Sequence, residues 1–177
     1  MNCNNEILSS EAERISYVIE QYHKALDLLD AYDHQTLGRP RGQKGTTQFT
    51  YEECKRVIAG MSFCEQSSLF GNEKDDSFRG SIGAIYQTYG GQEMYPSVEE
   101  KAAHLLYFVV KNHSFSDGNK RIAAALFLYF LHKNGILLDA GHKKLDDSAV
   151  AALTILIAQS KPAEKDLMIC LIMNCLC

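Results

Sequence analysis

The nine residues His113 to Arg121, HSFSDGNKR, place an imidazole, a carboxylate, an amide, a glycine and two cations in one window. The apolar run IAAALFLYFL follows at once. Lys120 and Arg121 stand where a helix should begin. That end carries partial positive charge, so two cations there are misplaced unless an anion faces them. Helix N-termini expose N–H groups with no partner inside the helix, an anion site that phosphate commonly fills. Gly118 lets backbone approach a ligand closely, and Asn119 can donate to a phosphate oxygen. Lys120 offers a point charge and Arg121 a planar fork. A bound di- or triphosphate would resolve the conflict.

Asp117 then has a use, because Mg²⁺ is held by one or two carboxylates together with phosphate oxygens. An imidazole ordinarily titrates near neutrality, so His113 can take a proton from an attacking hydroxyl. Phe115 lies two residues from both His113 and Asp117 and is placed to point into the core and pin the loop. Each residue alone also has a plainer reading. His113 can cap its own helix, Asp117 can be an N-cap, Gly118 can be a turn residue, and the two cations can form a solvated face. Together they supply a base, a metal carboxylate and a phosphate cradle between two apolar helices, which a solvated loop does not need.

The elements around this window follow from periodicity and caps. Ile15, Val18, Ile19, Tyr22, Leu26 and Leu29 recur at helical spacing and predict one amphipathic helix over 10–34, with Ser10 and Glu13 as a capping box. The loop LGRPRGQKGTTQF carries cations, no acid and no evident chemistry, and is read as a mobile connection. Thr50 and Glu53 open a second helix through CKRVIAGM. Residues 65–80 read as irregular. GAIYQTYGGQEMYP changes period, and Gly90-Gly91 signals a hairpin. Pro96, Ser97 and Glu100 open the helix VEEKAAHLLYFVVKN, which stops at His113. A buried helix then runs to about Asn134, ended by a left-handed Gly135. Asp146 or Asp147 opens a helix through Ala158, and Ser160 and Pro162 open the last, AEKDLMICLIMNCL. The sum is a mostly α chain with one small hairpin. It is expected to form one domain over 1–177, with N-terminal helices over 10–62, a core motif region and C-terminal helices over 146–176.

The chain has 177 residues, enough to bury a sizeable core. Its formal net charge of -4 disfavours a broad nucleic-acid surface. The cysteines, Cys3, Cys54, Cys64, Cys170, Cys175 and Cys177, show no CxxC spacing. The last three read as small core hydrophobes, which suits a reducing, cytoplasmic setting. The run from Ile122 to Leu131 is too short to span a bilayer, so no membrane role is expected.

HSFSDGNKR resembles the signature of the Fic/Doc (Fido) family, HxFx(D/E)GN(K/G)R. His113, Phe115, Asp117, Gly118, Asn119, Lys120 and Arg121 all match. The likeness runs over about 77–135 and more loosely over the flanking helices. The whole chain is similar to the Fic-like domain at the end of RhuM-type bacterial proteins, which implies a piece of a longer parent. The resemblance implies a helical bundle around a central helix pair. It also implies transfer of part of a nucleotide, most often AMP from ATP, to a Ser, Thr or Tyr hydroxyl of a target protein. His113 would be the base and Asp117 the Mg²⁺ ligand. Gly118, Asn119, Lys120 and Arg121 would hold phosphates. A hairpin over 83–95, beginning with Gly83, Ala84, Ile85 and Tyr86, would be the flap that lays the target down as an added strand.

Three departures bear on the activity. Position 114 is Ser where Pro is common. Ala124 stands where AMP-transferring members usually carry a second Arg. With Lys120 present, the loop is closer to the Doc branch, associated with phosphoryl transfer from a reversed nucleotide. The inhibitory pattern (S/T)xxxE(G/N) has only near misses, SSEAER from Ser9 and SKPAEK from Ser160, which leaves regulation by an antitoxin-like partner, by the rest of a parent chain, or by nothing. The alternative functions are a silent nucleotide or peptide binder, a nucleic-acid module suggested weakly by the GxxG of RGSIG, and a metal-only hydrolase. For the last, His132 reads better as partly buried core and His142 as a solvated loop. The target and the oligomeric state are left open.

Overall fold

The computed structural model describes residues 3–45, 47–61 and 67–177, with side chains from residue 11 onward. The expected cap at Ser10 and the cysteines Cys3 and Cys64 lie outside the side chains so described. Two compact units are described, Met1–Gly38 and Arg39–Cys177.

The first unit holds α1 (Cys3–Gln21) and α2 (His23–Asp33), where one helix was expected. The break falls at Tyr22, which has φ -117° and ψ 13°. His23 Nδ1 donates to the Glu20 carbonyl at 2.8 Å. In a continuous helix that carbonyl would accept from the amide four residues on. The apolar stripe is present but exposed, with Tyr22 66% and Leu29 59% accessible.

The second unit starts with a loop held by hydrogen bonds and an ion pair at Arg39 and Gln43. Gln43 N donates to buried Glu99 at 2.7 Å, and its carbonyl accepts from Val98 N at 2.9 Å. Arg39 pairs with Glu100 at 2.6 Å. A Cβ on Gly42 would sit 2.1 Å from the Glu99 carboxylate, so this close approach requires glycine. Next comes α3 (Tyr51–Ala59), opened by the expected Thr50–Glu53 capping box. Then come α4 (Ser77–Ala84) and a hairpin of β1 (Thr88–Tyr89) and β2 (Gln92–Glu93). Gly90 and Gly91 turn it, with φ of 58° and 80°.

The central pair is α5 (Val98–Asn112) and α6 (Asn119–Lys133). Ser97 caps α5 by accepting from Glu100 N at 3.1 Å. Every residue from Val98 to Val110 except Phe108 is buried. The helices α4, α7 and α8 pack on α5, while α3 and α7 pack on α6. A second hairpin, β3 (Leu138–Asp139) with β4 (His142–Lys143), was not expected. Its turn places Ala140 at φ 46°, a conformation alanine seldom adopts, beside Gly141 at φ 84°. Asp146 caps α7 (Asp147–Gln159), and a 3₁₀ turn from Pro162 feeds α8 (Lys165–Leu176). No helix among the described residues is long and apolar enough to cross a membrane.

Burial gives α5 a pH-sensitive member. The His104 ring stacks on Tyr95 at 3.6 Å, and its Nδ1 donates to the Glu100 carbonyl at 2.9 Å. Desolvation holds its pKa down to about 4. The unfolded chain therefore binds a proton below about pH 6.5 that the folded chain refuses. Stability should fall by on the order of 3 kcal/mol as pH drops from about 6.5 to 4. Glu53, held down to about 2 chiefly by Lys133, adds a further loss below its ordinary range. Urea titrations across pH, with His104→Gln flattening the upper window, check this. A His104 ring signal titrating near 6.5 would contradict it.

Candidate active site

The window between α5 and α6 is built as a braced loop. His113 ends α5 in the left-handed region, φ 47° and ψ 43°. That turn sends the chain sideways, so Ser114 and Phe115 enter the core while His113 stays exposed. The Phe115 ring is 1% exposed and lies 4.8 Å from that of Phe78, the pinning role expected of it. The Asn119 amide spans the loop: its Oδ1 accepts from Phe115 N at 2.9 Å and its Nδ2 donates to Phe115 O at 2.8 Å. Its clearest contribution here is therefore bracing, with one Nδ2 hydrogen left over for an anion.

A second brace was not legible in the sequence. Residues 70–74, within the stretch read as irregular, run alongside the loop. Lys74 N donates to Ser114 O at 2.8 Å, Ser116 N to Asn72 O at 2.8 Å, and Gly71 N to Asp117 O at 3.2 Å. Glu73 ties this strip to α3 by accepting from Tyr51 Oη at 2.7 Å and Lys55 Nζ at 2.6 Å. Ser114, where Pro is common, is fully buried, with its hydroxyl 2.7 Å from that of Ser77 on α4.

His113, Ser116, Asp117, Gly118, Asn119, Lys120 and Arg121 line one open cavity of about 370 Å³. Ile122 N donates to Gly118 O at 2.8 Å and opens the ladder of α6, and the N–H groups of a helix's first turn point toward its open end. Gly118 has φ 92°, and an added Cβ would lie 2.4 Å from the Phe70 ring. Glycine is thus required by backbone conformation and by Phe70, not only by a ligand. The misplaced cation at the helix start has part of its answer inside the chain: Arg121 Nη2 meets both Asp117 oxygens at 3.1 and 3.2 Å. Both groups are about 40% exposed, so this pair is a weak lock that a stronger partner can open. Lys120 is exposed at the rim, and Ala124 is half-buried on α6.

A divalent cation fits here only in company. Among the described residues no three His, Cys, Asp or Glu side chains converge. Asp117 is a single carboxylate, so the remaining oxygens would have to come from phosphates and water, the usual habit of Mg²⁺.

The expected flap needs correction. Gly83 and Ala84 are the last residues of α4, and Ile85 is its buried C-cap. Tyr86 follows, its hydroxyl accepting from Phe49 N at 2.7 Å. Phe78, Ile82 and Ile85 are buried at helical spacing, a period masked by the β-prone residues after them. The hairpin itself is confined to 88–93. Its anchor was also missed: Lys101 is fully buried, donates to Tyr95 O at 2.5 Å and pairs with Glu93 at 3.2 Å. The GxxG of RGSIG lies inside α4, so it is no nucleic-acid loop. His132, expected to be partly buried, is exposed, as is His142 in β4. Of the terminal cysteines, Cys170 is buried, Cys175 half-buried and Cys177 exposed.

A helical bundle that sets a histidine-ended helix against a cation-bearing helix start, joined by HxFxDGNKR, defines the class. A profile of the Fic/DOC family matches residues 14–131, and the chain belongs to that family. Members of the family are generally transferases. The chain is also 47% identical over 53 residues to a protein named Toxin Doc from Mycolicibacterium smegmatis. That stretch is 30% of this chain and 41% of the relative, so the chain spans less than half of the curated protein it matches. No solved structure gives a significant match.

Proposed function

We propose that this chain transfers part of ATP to a hydroxyl of a protein, with His113 as base. The observation that carries the reading is the sharing of one cavity by His113, Asp117 and the first turn of α6. His113 accepts the proton of the attacking hydroxyl, whose oxygen bonds to phosphorus as the bond to the leaving phosphate oxygen breaks. The amides and cations at the start of α6 hold the phosphate oxygens and favour the charge that develops on them. Mg²⁺ held by Asp117 and the phosphates would supply further neutralisation of that charge. The free edges of the 88–93 hairpin are the place for a target strand to add.

Ala124 leaves one fewer phosphate fork than AMP-transferring members carry, which favours phosphoryl transfer as in the Doc branch. The same feature supports the second reading, a silent binder. An antitoxin-like protein is the proposed regulator. Incubating the protein with candidate targets and ATP labelled separately at the α and γ positions tests the assignment by mass spectrometry. Label from γ alone is the expected result. Label from α alone means AMP transfer, and nucleotide binding with no label means the silent binder.

A further inference from the structure

We propose that Phe70 is a positioning residue for Arg121, presenting the guanidinium plane to the cavity; the proposal rests on the reading that Arg121 binds phosphate. Phe70 is 5% exposed and lies under the start of α6, its ring packed against Gly118. The guanidinium carbon of Arg121 stands 4.9 Å from the centre of that ring. The backbone of Phe70 bridges to that of Asp117, so the ring, the carboxylate and the guanidinium are held in one frame. Glu73 fastens the frame to α3.

The ring does what the carboxylate cannot. An arginine side chain has many rotamers, and ordering it on binding costs affinity unless it is already placed. In the structure both Asp117 and Phe70 place Arg121. When the carboxylate turns to a cation, the aromatic face still holds the guanidinium beside the amides of α6. Cation–π contact leaves the N–H edge of the fork open for phosphate oxygens, which the Asp117 pair does not.

Calorimetric binding of ATP with Mg²⁺ to the wild type, Phe70→Leu, Arg121→Gln and the double variant tests this. Phe70→Leu is expected to weaken binding about three- to tenfold in the wild-type background. In the Arg121→Gln background it should cost nothing further. Equal weakening in both backgrounds, or none in the first, overturns the positioning role. A ligand-free measurement stands beside it: the Arg121 Nε–H resonance should be ring-shifted upfield in the wild type. Its absence there overturns the proposal whatever the nucleotide does. A wild type that shows the ring shift but binds no ATP overturns the nucleotide reading and leaves the placement of Arg121 by Phe70 supported.

Discussion

Replacing His113 by glycine should remove activity and raise stability together. Loss of a general base costs about 10²–10⁴-fold in rate. His113 also sits at φ 47°, where a residue with a Cβ is strained by about 1–2 kcal/mol. Glycine adopts that conformation freely, although it gives back part of the gain through a looser unfolded chain. The net expectation is a stabilisation of about 1 kcal/mol, seen as about 2–4 °C in melting temperature. His113→Ala, which keeps the strain, should lose the same activity without the gain. Label transfer and thermal melts on the two variants check this. A glycine variant that stays active, or melts lower, would contradict the assignment of stored strain to a catalytic group.

The second large effect is structural. Gly118→Ala should destabilise the protein by about 2–5 kcal/mol, combining left-handed strain with overpacking. The added carbon would lie 2.4 Å from the Phe70 ring, which is itself buried. Gly90→Ala in the first hairpin is the control, since it too has a positive φ, 58°, but meets nothing within 4 Å. It should cost only the strain, about 1–2 kcal/mol. Urea denaturation of both variants isolates the contact with Phe70. Equal losses would mean that Phe70 does not press on the loop.

What could be read from the sequence was local or periodic. The caps at Thr50, Ser97 and Asp146 are side-chain devices that act within three residues, so they appear in the letters. The burial of Phe115 and the clustering of the candidate site follow from a nine-residue window. The strip over 70–74 is held to the loop by backbone hydrogen bonds, which leave little side-chain signature. The burial of Lys101 was hidden because its partners, Glu93 at the end of the hairpin and the Tyr95 carbonyl just after it, lie in a stretch whose pairing the letters do not locate. The α4 helix was obscured by two glycines and by β-prone neighbours, although Phe78, Ile82 and Ile85 keep its period. The break at Tyr22 falls within an unbroken apolar stripe, which by itself predicts one helix.

The central claim is that phosphates belong at the start of α6 with an imidazole beside them. Crystals of the protein with a non-hydrolysable ATP analogue and Mg²⁺ test it most directly. The account predicts phosphate oxygens against the first-turn amides and Arg121, Asp117 released from Arg121, and His113 facing the phosphate to be transferred. A nucleotide bound elsewhere, with Asp117 and Arg121 still paired and His113 turned to solvent, would contradict it.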